Sequence, residues 1–334
     1  MTVGSDRSTF FSRAAPGRAL ALASLLAISA ISHAETGPEA CARIVDHEQR
    51  LACFDAHFPP SADLPASGDT ADDVTPVEAR RNLEYDATLN WFAITPHKPN
   101  YLLPVAHNLS ADYSAYSGLG PTFSDTEVKF QVSLKTLLLP IGWRNSSIWA
   151  GYTQQSYWQL YAEEAASSPF RETNHEPELF WEVPIRFRLF GLDARFVYLG
   201  FNHQSNGQSG DLSRSWNRLT GQIVAERGRF VATAKTWVRL PEGIGEDDNP
   251  NIEDYMGRIQ LGAAWRGEFN TFSISLKNNL RTENRSGLEV GWTFPLSRHL
   301  KGYVQLYTGY GENLIDMENY TNRISLGFAL TDWL

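Results

Sequence analysis

The residues best suited to chemistry lie in RFVYLGFNHQSNGQSGDLSRSWNRLTGQIVAE, positions 195–226. Val197, Leu199 and Phe201 form an apolar alternate row that continues into His203 and Ser205, while Phe196, Tyr198, Gly200, Asn202 and Gln204 share the opposite parity. A strand turns successive side chains to opposite faces, so His203 and Ser205 share the apolar face. Folding the segment as a hairpin about Gly210 sets His203 opposite Asn217, at roughly 5 Å. Same-face neighbours on one strand are about 6.7 Å apart at Cα, a gap an imidazole can bridge to a hydroxyl. Serine is a weak nucleophile until a base takes its proton. Histidine titrates near neutrality and can be that base. Its second ring nitrogen needs an acceptor to fix the tautomer, and the Asn217 amide oxygen can supply one. A neutral amide stabilises an imidazolium less than a carboxylate does but costs less beside lipid. The bland alternative is a chance trio of surface polar residues.

Such a trio needs a sheet to hold it. Period-2 alternation recurs along the chain: Val128, Phe130, Val132 and Leu134 against Lys129, Gln131, Ser133 and Lys135, then Phe272, Ile274 and Leu276, then Leu288, Val290, Trp292 and Phe294, then Ile324, Leu326, Phe328 and Leu330. Each run has one apolar and one polar face. The 10 Trp, 13 Tyr and 18 Phe cluster near run ends, as in interfacial girdles. The runs are about ten residues long, their polar faces carry charge, and the last one reaches the end of the sequence. The expected fold class is an all-β transmembrane antiparallel β-barrel of about 12 strands, with a soluble all-β protein as the alternative. Lys129, Lys135, Arg218, Glu226, Lys235, Arg239 and Arg258 should line the lumen.

Of 334 residues, 29 are Lys or Arg and 38 Asp or Glu, a formal net charge of −9. That balance argues against nucleic acid as a partner, and 42% hydrophobic content excludes a disordered chain. Residues 1–34 read as a signal peptide: Arg7, Arg13 and Arg18, an apolar run, then Ser32-His33-Ala34. Residues 35–56 read as a short helical segment with Cys41 and Cys53. A straight 12-residue helix spans about 18 Å and a disulfide needs Cα atoms within about 7 Å, so pairing requires two short helices. Free thiols or an intermolecular bond are the alternatives. Residues 57–90, with Pro59, Pro60, Pro65 and Pro76, read as a linker, and 91–334 as the barrel.

NHQSNGQSGDLSRSWNR (202–218) resembles the active-site motif of outer membrane phospholipase A. YTQQSYWQL (152–160), SSPFRETNHEPELF (167–180), EDDNPNIEDYMG (246–257) and the closing 307–334 resemble that family too, so the likeness covers about 95–334. It implies a calcium-dependent serine hydrolase of phospholipid acyl esters, with A1, A2 and lysophospholipase activities. The enzyme would sit in the cell outer membrane, work on membrane phospholipids and be active as a homodimer in the membrane plane. It implies Ser205 as nucleophile, His203 as base and Asn217 as its orienter, with the Gly207 N–H at the oxyanion. It implies calcium (Ca2+) held by the Gln208 carbonyl, Ser213 and the partner subunit's Ser167, a second calcium position at Asp248, and Gln154 at the dimer contact.

Two positions depart from the family pattern. Gln208 replaces an arginine, which keeps a carbonyl but loses a charge, and Leu334 stands where an aromatic residue is usual. No G-x-S-x-G or H-E-x-x-H occurs. Two features point the same way without the family. Gln154 is a lone amide in the apolar row Ile148, Ala150, Tyr152, Trp158, Leu160, and a symmetry-related copy would give it a partner. The acidic stretch 242–254 offers hard oxygen ligands. A non-enzymatic barrel, pore or structural, is the alternative from another class.

Overall fold

The computed structural model describes residues 38–58, 75–88, 93–116, 123–162, 169–243, 247, 249–297 and 300–332. Residues 1–34, read above as a signal peptide, together with Ser167, Asp248, most of 57–74 and 333–334, fall outside them. The chain divides at Gly68 into two units. The first holds helices α1 (Pro38–Cys41) and α2 (His47–His57). A disulfide joins Cys41 to Cys53 with Cα atoms 5.5 Å apart. The break between the helices is what makes that approach geometrically possible. Asp46 starts the second helix by accepting the Gln49 N–H.

In the second unit the alternating segments become strands of one antiparallel sheet: β1 (Ile94–Pro96), β2 (Asn100–Asn108), β3 (Thr126–Ile141), β4 (Ser146–Trp158), β5 (Phe170–Leu189), β6 (Leu192–Ser205), β7 (Ser215–Arg227), β8 (Phe230–Leu240), β9 (Ile259–Arg266), β10 (Thr271–Asn278), β11 (Ser286–Pro295), β12 (Lys301–Gly309) and β13 (Thr321–Thr331). Strand β13 pairs with β2, so β2–β13 close into a 12-stranded barrel. The thirteenth, β1, continues the pairing with β3 beyond the end of β2. Pro96 and Pro99 flank the break, because proline has no N–H for the ladder.

Tight turns join strands at one rim. Between β5 and β6, Phe190 and Gly191 both take positive φ (49° and 81°), the geometry a two-residue hairpin turn requires. The described parts of the long connections, including 109–116, 206–214, 249–258 and 310–320, lie at the other rim. Outward positions are apolar and exposed, as at Leu179, Leu199, Leu219, Leu261 and Leu326. Near the tight-turn rim Trp265, Phe272 and Trp292 stack in sequence, each step 6.1 Å, and Phe294 tilts against Trp292 at 4.7 Å, the girdle the aromatic content suggested.

The lumen is filled with charge. Glu127, fully buried, accepts four hydrogen bonds of 2.9 Å: two from Arg171, one from Arg323 and one from Gln159. Arg323 and Lys129 also bind Glu312 at 2.9 Å, and Arg171 binds Asp316 at 2.6 Å. Glu312 and Asp316 belong to the β12–β13 connection, which these ion pairs draw into the barrel mouth. Burial would raise the Glu312 pKa, but Arg323 and Lys129 outweigh it and hold the carboxyl at about 2. Lys129, Lys135, Arg218 and Glu226 are buried inside as their parity requires, and Lys235 lines a lumen cavity of about 320 Å³. Arg239 turns to Asp247 and the Asn249 carbonyl, and Arg258 lies at the rim on Glu253, half-exposed because it precedes β9.

Residues 76–88, inside the stretch read as a linker, form helix α3 (Pro76–Thr88). The sequence T-P-V-E explains its start. Thr75 Oγ1 meets Glu78, and Pro76 sits at the first helical position, where its missing N–H is harmless. Glu226, from the end of β7, accepts from the Thr75 hydroxyl (2.6 Å) and the Val77 N–H (3.1 Å). A carboxylate there suits the positive end of a helix dipole. Arg81 pairs with Glu182 and Glu84 with Lys135, which fixes α3 across the tight-turn rim.

Candidate active site

Strands β6 and β7 pair as the hairpin reading requires: His203 faces Asn217 and Ser205 faces Ser215. The pairing follows from chain-neighbour strands whose apolar rows must share the lipid side. A one-residue slip would turn both rows inward. His203, Ser205 and Asn217 are half-buried and continue the outward row of Leu199, Phe201 and Leu219. Their inward neighbours Asn202 and Arg218 are buried, and Asn202 and Gln204 both accept from Arg218. The strands are thus pinned from the lumen while their outer faces carry the candidate trio.

The Asn217 Oδ1 lies 2.9 Å from His203 Nδ1. An amide oxygen can only accept, so Nδ1 carries the proton and Nε2 is left as the base. Among the described residues no hydrogen bond joins Ser205 to His203. Catalytic bonds of this kind are long without substrate and shorten in the complex.

The loop after Ser205 is organised by Asn206, which is 3% exposed. Its side-chain oxygen accepts from the Gln208 and Arg214 backbone N–H groups, and its amide donates to the Leu212 carbonyl. Gly207 takes φ +67° and Gly210 φ +63°, conformations that a side chain disfavours. Gly207 is therefore free to present its backbone beside Ser205. Gln208 and Ser213 stand on this same loop. Among the described residues no hydrogen bond ends on the Gln208 carbonyl oxygen, which leaves it available as a ligand. Carbonyl, hydroxyl and carboxylate oxygens are the donor set a hard cation takes, so the residues present fit calcium. Ser167 and Asp248 lie outside the described residues.

Gln154 lies outward on β4 and donates to Ser156 Oγ at 3.1 Å. Across the strip it pairs in register with His175 of β5, and His175 pairs with Ser205. The imidazole of His175 therefore borders the site, with Nδ1 2.7 Å from the Tyr152 hydroxyl. His175 is not among the site residues expected from sequence. The signal was available, since it shares parity with Leu179 on an outward row and is as anomalous there as His203 on its own strand.

A sequence profile described as phospholipase A1 matches residues 77–330, from within α3 to the last strand. A phospholipase A1 of Escherichia coli K12 is 39% identical over 249 residues, covering 73% of this chain and 83% of that one. The solved outer membrane phospholipase A of Escherichia coli has a TM-score of 0.67 and 36% identity, over 73% of this chain and 94% of that one in an active-site variant whose asparagine is replaced by alanine. A Salmonella typhi outer membrane phospholipase, solved as a dimer with bound calcium, has a TM-score of 0.67 and 38% identity over 73% of this chain and 94% of that one.

Proposed function

This chain belongs to the phospholipase A1 family of outer membrane β-barrels, and we propose that it hydrolyses phospholipid acyl esters through Ser205, His203 and Asn217. The observation that carries the assignment is the 2.9 Å contact of His203 Nδ1 with Asn217 Oδ1 on the outward face, in one row with Ser205. Ser205 Oγ attacks the ester carbonyl and its proton passes to His203 Nε2. Asn217 holds the ring in the required tautomer throughout. Negative charge collects on the carbonyl oxygen beside the Gly207 N–H. The imidazolium then protonates the departing glycerol oxygen, leaving an acyl-serine. Water, deprotonated by His203, releases the fatty acid and restores Ser205.

Gln208 through its carbonyl, Ser213, and the partner subunit's Ser167 would hold calcium, with Asp248 as a second position. Bound calcium supplies positive charge near the developing oxyanion. The Salmonella typhi relative, a dimer with bound calcium, supports both the metal and a homodimer here, with Gln154 at the contact. A1, A2 and lysophospholipase activities all follow from one serine that accepts either acyl ester. Residues 1–34 act as the export signal. The short turns face the periplasm and the long loops, with Ser205 below them, the cell exterior.

The non-enzymatic pore is disfavoured because α3 and the 310–320 connection both bond into the lumen. The deciding experiment is fatty-acid release from phospholipid micelles by refolded protein, with calcium or excess chelator, beside Ser205→Ala. Release that needs both calcium and Ser205 is expected. Release without calcium removes the metal from the assignment, and release by Ser205→Ala removes the triad.

A further inference from the structure

His175 has no role in the steps above, yet it is the cross-strand neighbour of Ser205 on the β5 side. Residues so opposed are about 5 Å apart, and His175 and Ser205 share the outward face. A methyl group placed on Gly207 would come within 3.8 Å of His175 Cδ2 and 3.9 Å of Nε2. The Nε2 edge of the ring therefore lies beside Gly207, two residues past the nucleophile, toward the long-loop rim. Its other edge is anchored, with Nδ1 2.7 Å from the Tyr152 hydroxyl and the rings stacked at 6.2 Å.

The Tyr152 hydroxyl has one proton and two acceptors in reach, His175 Nδ1 at 2.7 Å and Gln154 Oε1 at 3.4 Å; given to the nearer, it leaves the ring proton on Nε2. A ring in that tautomer cannot act as base at Nε2, but it offers a donor. Among the described residues nothing accepts from it. A half-buried N–H on the membrane face without an acceptor is costly, and the cost is removed when a ligand supplies one.

The bound lipid's orientation fixes which of its atoms can do so. Its acyl chain must follow the apolar rows of Leu179, Leu199 and Phe201 toward the membrane interior. Its glycerol and phosphodiester then emerge on the rim side of Ser205, where Gly207 and the His175 Nε2 lie. We infer that His175 is a substrate-contacting residue whose Nε2–H, held in place by Tyr152, hydrogen-bonds the phosphodiester of the lipid being cleaved. This rests on the phospholipase reading, with His203 as the base. His175 then discriminates phospholipids from neutral esters of the same acyl length.

The test compares two substrates in the same micelles: a lysophosphatidylcholine, and a p-nitrophenyl ester of the same fatty acid, which lacks phosphate. In refolded full-length protein, His175→Phe should raise KM for the phospholipid about tenfold, as loss of one hydrogen bond to a charged group does. KM and kcat for the p-nitrophenyl ester should stay within about twofold. His175→Gln, which keeps an N–H donor, should recover part of the difference. Tyr152→Phe releases the ring and should show a smaller phospholipid-selective rise, and it serves equally if His175→Phe does not fold. Equal losses on both substrates, or none on either, overturn the inference. Ser205→Ala separates the two levels: if it still hydrolyses both substrates the site assignment fails, whereas selective loss in His175→Phe has meaning only where Ser205→Ala is inactive.

Discussion

The same strands present two opposite chemistries. On the inner face polar groups are crowded and mutually satisfied: Glu127 alone takes four hydrogen bonds, and Lys129, Arg171 and Arg323 also surround the Tyr157 ring at 5.3–5.5 Å. On the outer face polar groups are few. One strip of them crosses β4–β7, from Tyr152 and Gln154 through His175 and Ser205 to His203 and Asn217. Each has at most part of its hydrogen-bonding capacity used. Saturated polar groups can only hold a structure together. A group with an unmet donor or acceptor can act on something that arrives.

That contrast predicts that outer-strip lesions change rate and spare stability, and that lumen lesions do the reverse. Ser205→Ala should lower fatty-acid release at least about a thousandfold, worth roughly 4 kcal/mol in the barrier, with an unchanged unfolding midpoint in lipid vesicles. A shifted midpoint would break the contrast at its strongest point. Glu127→Ala strands Arg171 and Arg323, and breaking a buried ion pair from one side costs about 3–5 kcal/mol. Urea unfolding followed by tryptophan fluorescence should register that loss, while turnover per folded molecule stays near that of the parent. Asn217→Ala should slow hydrolysis by about ten- to a hundredfold, since ring orientation is lost but the base remains. Folding should be unaffected.

The smallest expected effect concerns pH. Glu312 is held at about 2, below its unfolded value, by Arg323 and Lys129 against the effect of burial. A depressed carboxyl contributes stability that is complete above the ordinary glutamate range and is lost as pH falls toward 2. Proteolysis of the 310–320 connection should therefore be slow from neutrality down to about pH 5 and quicken only in stronger acid. Quickening near pH 6 would show that another group governs it.

Much of this was legible because a strand's period of 2 is rigid. Once Leu199 and Phe201 are assigned to lipid, His203 and Ser205 have no other side to take. The turn about Gly210 then fixes Asn217 without reference to any fold. The inner positions of Lys129, Lys135 and Glu226 follow by the same parity. What escaped depends on contacts distant in sequence. Helix α3 begins with a readable capping pattern at Thr75–Glu78, but four nearby prolines masked it, and its reason for existing is Glu226, some 150 residues on. Glu312 and Asp316 lie in no alternating run, so nothing local announces that they enter the lumen. His175 was overlooked because its neighbour Ser205 is on another strand, and only the register of β5 with β6 joins them.

With Ser205 as the proposed nucleophile, its outward parity sets the reaction inside the substrate's own phase. An enzyme facing bulk water meets its substrate at a concentration that can rise and fall. A nucleophile set among lipid tails is bathed in its substrate as a solvent, at a mole fraction that hardly changes. Affinity can then no longer act as the throttle, since the site is never short of lipid. Control has to come from whether the catalytic assembly is complete, which makes idleness rather than turnover the state the membrane must be able to rely on.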